Sequence, residues 1–344
     1  MRVLVLWSKW SGYMDASVRE LQAMTGCELD VVIPSGSSQA PYQTDQFFQF
    51  PCRVWAQSDG AAIDRLLGEG SYDLALICSW HIPVYRKAAA ALRGRAVRVL
   101  CMDNQWLGTG RQWLGVAAFR LHLKRLFDWA YVPGCRQADF ASRLGFPVTR
   151  IIEGHYACDI DRFGVDHRES EPDRSFLFVG RLVPEKGLDI LEKAWRRFAE
   201  RPEYGDWRLV VCGTGPLTEV VAQLPRCEPL GFIQPGELPA IMHRSGAFVL
   251  ASRYEPWGLV VQEAAASGLP LVVTDRCGAA DYFLRDGMNG IRIPAESEDA
   301  LYEALCRIAA STPEERRRMG ELSAAIARQR TPLGWAVSAT RALV

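Results

Sequence analysis

Glu255 and Glu263 frame the part of the chain where residue types and spacing could do chemistry. They lie in ASRYEPWGLVVQEAAASG, Ala251 to Gly268, the first in a loop broken by Pro256 and the second in an apolar run that begins after Gly258 and reads as a helix. Pro pre-sets φ for helix entry, and Gly lets another group come close to the backbone. From Gly258 to Glu263 is roughly 8 Å at 1.5 Å per residue, so one carboxylate stands before a helix start and the other a turn and a half along it. The free N–H groups of that start and the helix dipole favour a phosphate, while carboxylates accept hydrogen bonds from hydroxyls. A ligand with a diphosphate in the middle and hydroxyl-rich groups at both ends, the shape of a nucleotide sugar, fits this spacing. The plainer reading is a solvated loop acid and a helix-surface Glu. Against it, Val260, Val261 and Ala264 to Ala266 make the helix too apolar for a free surface, so the Glu263 carboxylate is expected to have a partner.

Two further loops carry matching chemistry. The strand run Ser175 to Gly180 ends in GRLVPEKG, Gly180 to Gly187, which places the cations Arg181 and Lys186 in a Gly-bounded loop at a strand's carboxyl end. Two cations there suit a diphosphate leaving group. The strand at Val210 to Cys212 ends in GTGP, where Gly213 and Gly215 make a second close-approach turn. Either loop taken alone could equally be a structural turn.

The elements that must position these residues alternate along the whole chain. In the first half, strands are expected at Val3 to Trp7, Leu29 to Ile33, Phe47 to Trp55, Leu74 to Ser79 and Val97 to Met102, with helices between them. Strands apolar on both faces and separated by helices predict an α/β fold, with a parallel, Rossmann-like sheet covered on both sides. Ligands of such sheets bind beyond the strands' carboxyl ends, which makes Gly12, Trp80, His81, Asp103 and Asn104 candidates. His81 could instead be structural, and Asp103 with Asn104 could form an Asx turn. The loop Ser8 to Gly12 has a single Gly and no G-x-G-x-x-G, which weakens a nicotinamide or flavin reading.

The 344 residues suffice for two domains of ordinary size, and the formal net charge of zero gives no global field for nucleic acid. The ten cysteines include no C-x-x-C pair, several lie in apolar strand-like runs, and no apolar run is long enough to span a bilayer. A cytoplasmic protein is expected. Locally the charge is uneven: Val84 to Arg125 holds nine basic residues and one acid, nine minus one or plus eight. Within it, 111–127 interleaves Trp113, Leu114, Phe119 and Leu123 with Arg111, Arg120, Lys124 and Arg125. Such a segment can lie peripherally on the inner face of an anionic membrane, or can be a core helix with a solvated basic rim. Asp159-Ile160-Asp161 matches a pattern that binds a divalent ion in some sugar transferases, but three residues in a linker do not make a site. No metal and no cofactor are expected.

GRLVPEKG, CGTGP, LGFI (Leu230 to Ile233) and EPWGLVVQEAAASGLPLVVTD (Glu255 to Asp275) occur in the order and spacing of the C-terminal half of glycosyltransferase family 4. The resemblance covers about Phe176 to Pro294. It implies a retaining, nucleotide-sugar-dependent enzyme of GT-B fold, with two Rossmann-like parallel-sheet domains facing across a cleft and a C-terminal helix crossing back to the N-domain. The implied domains are 1–165 for the acceptor, 166–330 for the donor, and 331–344 for the returning helix. Arg181 and Lys186 fall on the family's basic pair for the donor diphosphate. Glu255 falls on the first acid of its E-x7-E motif, near the transferred sugar, and Glu263 on the second, near the ribose hydroxyls. Gly258 and Leu259 would offer backbone N–H groups, and Phe232 with Ile233 would hold the base. Gly12, Gly180, Gly213 and Gly215 complete the donor-binding set.

Two departures stand out. Paired glycines after the first strand are reduced to Ser11-Gly12, and the family's N-domain His is absent where Asp103-Asn104 stand, so those residues or His81 would take its place. The expected partners are a nucleotide sugar, UDP- or GDP-linked, and a carbohydrate or lipid-linked acceptor of glycoconjugate synthesis. A catalytically inactive GT-B scaffold stays open as the alternative. A glycoside hydrolase built on Glu255 and Glu263 would have no use for the basic pair and glycine turns.

Overall fold

The computed structural model of the protein describes residues 1–34, 47–165 and 172–344. Residues 35–46, whose Ser and Gly read in the sequence as a turn after the second strand, and residues 166–171, in the charged, Pro-containing stretch that reads as the domain boundary, fall outside the described residues. Two compact units are formed, one by Met1–Ala157 with Arg330–Val344 and the other by Cys158–Gln329. The division therefore comes at Ala157, earlier than the expected 165/166, because the segment after it is already bonded into the second unit. The Cys158 amide donates to Gln262 Oε1 at 3.0 Å, and the Ser267 hydroxyl to the Phe163 carbonyl at 3.1 Å. At the far end, Arg330 goes with the first unit, where its guanidinium donates to the Pro133 carbonyl.

The first unit is built on seven parallel strands: β1 (Arg2–Leu6), β2 (Glu28–Ile33), β3 (Arg53–Ala56), β4 (Leu74–Cys78), β5 (Val97–Cys101), β6 (Trp129–Val132) and β7 (Ile151–Glu153). Their order is β3-β2-β1-β4-β5-β6-β7, so the direction of winding reverses between β1 and β4. All of β4 and nearly all of β1 and β5 are buried, as strands covered on both faces must be. β3 is shorter than the expected strand from Phe47 to Trp55. Pro51 has no N–H for a ladder, Phe48 takes φ 62°, and the Phe48 amide donates to Asp15 Oδ1 at 2.8 Å.

The second unit repeats the plan with six parallel strands: β8 (Ser175–Val179), β9 (Arg208–Cys212), β10 (Cys227–Gly231), β11 (Ala247–Leu250), β12 (Leu271–Thr274) and β13 (Gly290–Ile293). Their order, β10-β9-β8-β11-β12-β13, reverses between β8 and β11. Both units are thus Rossmann-like. Helix Pro332–Thr340 packs on helix Gly12–Thr25 within the first unit. The Tyr131 hydroxyl is shared there between the Gly154 and Trp335 carbonyls, 3.0 Å from each.

Candidate active site

In the second unit the loops after β8 and β11 flank the reversal of strand order, where open α/β sheets leave a crevice for ligands. Lys186, at the end of the β8 loop, is ion-paired through Nζ to Glu255 Oε2 on the β11 loop, and both side chains are largely buried. Arg253 clamps the same two loops. Its guanidinium makes a bidentate pair with Asp189 at 2.7 and 2.6 Å and donates to the Pro184 carbonyl at 2.7 Å. Sequence reasoning missed Arg253, whose only local signal is its place two residues before Glu255.

Glycines let these loops close. Gly187 takes φ 66°, and a Cβ on it would lie 2.0 Å from the Ala251 carbonyl oxygen, so a side chain there would wedge the β8 loop off the β11 loop. A Cβ on Gly213 would lie 1.8 Å from the Gly180 carbonyl oxygen, and one on Gly215 2.5 Å from that of Leu182. Backbone bonds continue the contact sideways, from Gly180 N–H to the Cys212 carbonyl at 2.9 Å and from Gly213 N–H to the Gly231 carbonyl at 2.7 Å. Phe232 and Ile233, half-buried, follow Gly231 at the end of β10. The Arg181 guanidinium, exposed on the β8 loop, makes no hydrogen bond or ion pair among the described residues.

Gly258, at φ 87°, precedes helix Leu259–Ala266, whose first turn has no side-chain cap. A Cβ at Gly258 would strike Glu255 Cγ at 2.7 Å and Cys277 Sγ at 2.9 Å, so Gly here lets the first acid fold against the helix start. The loop is further held by a bridge between Glu255 and Cys277, with the Gly278 amide donating to the Glu255 carbonyl at 3.1 Å. Along the helix, Glu263 is half-buried and its carboxylate has no hydrogen-bond or ion-pair partner among the described residues. Desolvation pushes its pKa up to about 7. The expected partner is not supplied by the described protein residues, which leaves the carboxylate suited to hydroxyls of a ligand. Among the described residues no group of three or more His, Cys, Asp or Glu could hold a metal ion.

The first unit assembles its candidates differently. Gly12 starts helix Gly12–Thr25 after β1, and His81 follows β4, so the two flank the other reversal of strand order. Before His81, Ser79 takes φ 66°, a left-handed conformation uncommon outside Gly, and its hydroxyl accepts the His81 amide at 3.2 Å. His81 is exposed and Trp80 lies beside it, with ring centroids 5.0 Å apart. Desolvation, then the charges of Arg111 and Arg86, lower the His81 pKa. Asp103, after β5, is half-buried and accepts from the Tyr156 hydroxyl at 3.1 Å, whereas Asn104 is exposed. Tyr156 is hydrogen-bonded in turn to Tyr13, whose pKa burial raises above the ordinary tyrosine value. His155 stacks on Tyr156 with centroids 4.8 Å apart, and its Nδ1 is buried without a hydrogen-bond partner among the described residues. Burial pushes that imidazole down to about 3, so it is neutral. Tyr13, His155 and Tyr156 were not foreseen as site residues.

Residues 159–325 match the family model for glycosyl transferases group 1. Over 175 residues the chain is 33% identical to a D-inositol 3-phosphate glycosyltransferase of Corynebacterium glutamicum, covering 48% of this chain and 41% of that protein. Over 223 residues it is 30% identical to a GDP-mannose-dependent alpha-mannosyltransferase of Mycobacterium tuberculosis, covering 62% and 54%. The chain spans about a third to a half of the length of the curated relatives it matches. Among solved structures, Anabaena Alr3699/HepE in complex with UDP-glucose superimposes with a TM-score of 0.74 at 17% identity, over 99% of this chain and 98% of that one. Trehalose-6-phosphate synthase, OtsA, gives a TM-score of 0.75 at 12% identity, over 100% and 99%. These full-length likenesses show the fold, two Rossmann-like domains of the GT-B class.

Proposed function

We propose that the protein is a retaining glycosyltransferase of family 4, moving a sugar from a nucleoside diphosphate donor, UDP- or GDP-linked, to an acceptor hydroxyl. The observation that carries this reading is the Lys186–Glu255 pair across the β8/β11 reversal, beside Arg181, which has no partner among the described residues, and the uncapped helix start at Leu259. Arg181, Lys186 and the first-turn amides hold the diphosphate, Glu255 faces the transferred sugar, and Glu263 accepts from the ribose hydroxyls. Phe232 and Ile233 line the base. As the bond between the anomeric carbon and the diphosphate oxygen breaks, that oxygen accepts the proton of the acceptor hydroxyl, and the new glycosidic bond forms on the same face. Positioning and charge stabilisation then supply most of the rate, and no protein nucleophile is required.

Asp103, supported by Tyr156 and Tyr13, is the residue of the first unit assigned to the acceptor or the reacting sugar, in place of a His. The acceptor is a carbohydrate or lipid-linked carbohydrate of polysaccharide, lipopolysaccharide or other glycoconjugate synthesis, and the reaction is placed in the cytoplasm. The test is thermal stabilisation by UDP, GDP, ADP and dTDP in the wild type and in an Arg181→Ala, Lys186→Ala variant. Stabilisation by one nucleotide that the variant loses supports the site and names the base; none by any nucleotide, in folded protein, sinks it. Nucleotide binding without donor turnover would favour the inactive scaffold.

A further inference from the structure

The segment from Gly110 to Leu126 is one winding rod in three pitches, α over Gly110–Ala118, π over Phe119–Leu123 and 3-10 over Lys124–Leu126. Its inner side is fixed by Val116 and Phe119, both buried, and by Leu123 and Leu126 packed on the same core. The change of pitch keeps Phe119 against Trp80, Phe127 and Phe146 while the chain turns toward β6. Large apolar side chains remain outside. Trp113 is 59% exposed, Leu114 76% and Leu121 71%, and Leu107 in the preceding loop is 52% exposed. Trp113 is braced edge-on by Trp106, with centroids 5.0 Å apart, so it is held in place at the surface.

The same side is positive. Arg111 and Arg125 are exposed on it, Arg120 donates through Nε to the Arg143 carbonyl at 2.8 Å, and residues 104–127 contain no Asp or Glu. Nearby acids are already engaged: Asp128 in a bidentate pair with Arg98 at 3.0 and 2.7 Å, Asp139 with Arg143 at 2.8 Å, and Asp103 with Tyr156. Leu114 and Leu121, both exposed, stand seven residues apart, with Arg111 three residues before the first and Arg125 four after the second. Aliphatic side chains at the centre with guanidinium groups at the margins are what an interfacial helix presents to a bilayer.

We propose that this face docks on an anionic lipid bilayer, Trp113, Leu114 and Leu121 entering the headgroup boundary and Arg111 and Arg125 meeting lipid phosphates. A second copy of the chain is a poorer occupant, because the two faces would set arginines against arginines with no acid between them. Nucleic acid would satisfy the charge but leaves two exposed leucines with nothing apolar to cover them. No helix among the described residues is long and apolar enough to cross a membrane, so the contact is peripheral. The inference rests on the first unit's surface alone and stands apart from the assignment of the donor site.

Co-sedimentation with vesicles tests it, comparing phosphatidylcholine alone with a mixture containing about a third phosphatidylglycerol. The wild type is expected to pellet with the anionic vesicles, weakly with the neutral ones, and less as salt rises. Leu114→Ser with Leu121→Ser, and separately Arg111→Glu with Arg125→Glu, are each expected to lower the apparent partition about tenfold or more. All four side chains are exposed, so melting temperatures are expected to match the wild type and show that lost binding is not lost folding. Absence of wild-type sedimentation, equal sedimentation with both vesicle types, or unchanged binding by either variant overturns the proposal. Failure of nucleotide binding in the same preparations would bear only on the donor site.

Discussion

The two units share a sheet plan but hold their candidate residues by different means. In the second, main chain closes on main chain: Gly187 against Ala251, Gly213 against Gly180, and Gly215 against Leu182, with the Lys186–Glu255 pair inside that frame. In the first, side chains do the holding. Asp103 is reached by Tyr156, Tyr156 by Tyr13, and His155 stacks on Tyr156, the four residues coming from three segments far apart in the chain. Backbone closure demands Gly at fixed spacing and so leaves a motif. Side-chain networks leave none, because many residue pairs could make them.

The sharpest way to break this contrast is Gly213→Ala. The added carbon meets a carbonyl oxygen at 1.8 Å with φ at 148°, and the second unit is expected to lose about 4 kcal/mol or more, read as a fall in melting temperature. Next in size, Lys186→Ala is expected to lower sugar transfer by about 100- to 1,000-fold, the scale for removing one preorganised charge from a leaving group, in a steady-state assay. It also removes the ammonium paired with Glu255, a compact charge that a planar guanidinium does not reproduce, so Lys186→Arg should recover only part of the rate.

Smaller effects sharpen the comparison. Glu263 ionises near its ordinary value of 4.5 when unfolded and at about 7 when folded, so the folded protein binds the extra proton and stability falls as pH rises between the two. Hydroxyls donating to the carboxylate favour its charged form, so nucleotide affinity is expected to rise with pH up to about 7 and then level off. Glu263→Gln should flatten both profiles, measured by melting temperature and by titration of the nucleotide. In the first unit, Tyr156→Phe removes one hydrogen bond and is expected to slow transfer about tenfold while nucleotide-induced stabilisation stays unchanged. Loss of both would mean that the tyrosine network serves folding only. Gly68→Ala, in a helix with open space around the added carbon, should be neutral or stabilise by about 0.5 to 1 kcal/mol.

The same contrast explains what was legible in the sequence. The alternation of apolar runs in the first half points to a parallel sheet, the order of the later motifs points to a second one, and the glycine spacing marks the loops that carry Arg181, Lys186 and Glu255. The two compact units divide at Ala157 and not at 165/166, and the bond from Cys158 to Gln262 that ties the intervening segment into the second unit has no local signature in the sequence. β3 is shorter than the apolar run of Phe47, Phe48 and Phe50 suggests, because Pro51 and the hydrogen bond from the Phe48 amide to Asp15 commit those residues elsewhere. The Tyr13–Tyr156–Asp103 chain could not be read at all, since its members meet only through the ends of three separate elements.

One consequence follows from the place of Arg330–Val344 in the first unit. A ribosome delivers β1 to β7 first, yet the helix that covers Gly12–Thr25 and the Trp335 that rests on Tyr131 emerge only after the whole second unit has been made. The unit begun first is therefore finished last. Until Trp335 arrives, Tyr131 and the outer side of the first helix stay uncovered, and a nascent chain stalled before residue 330 would present that apolar surface to chaperones.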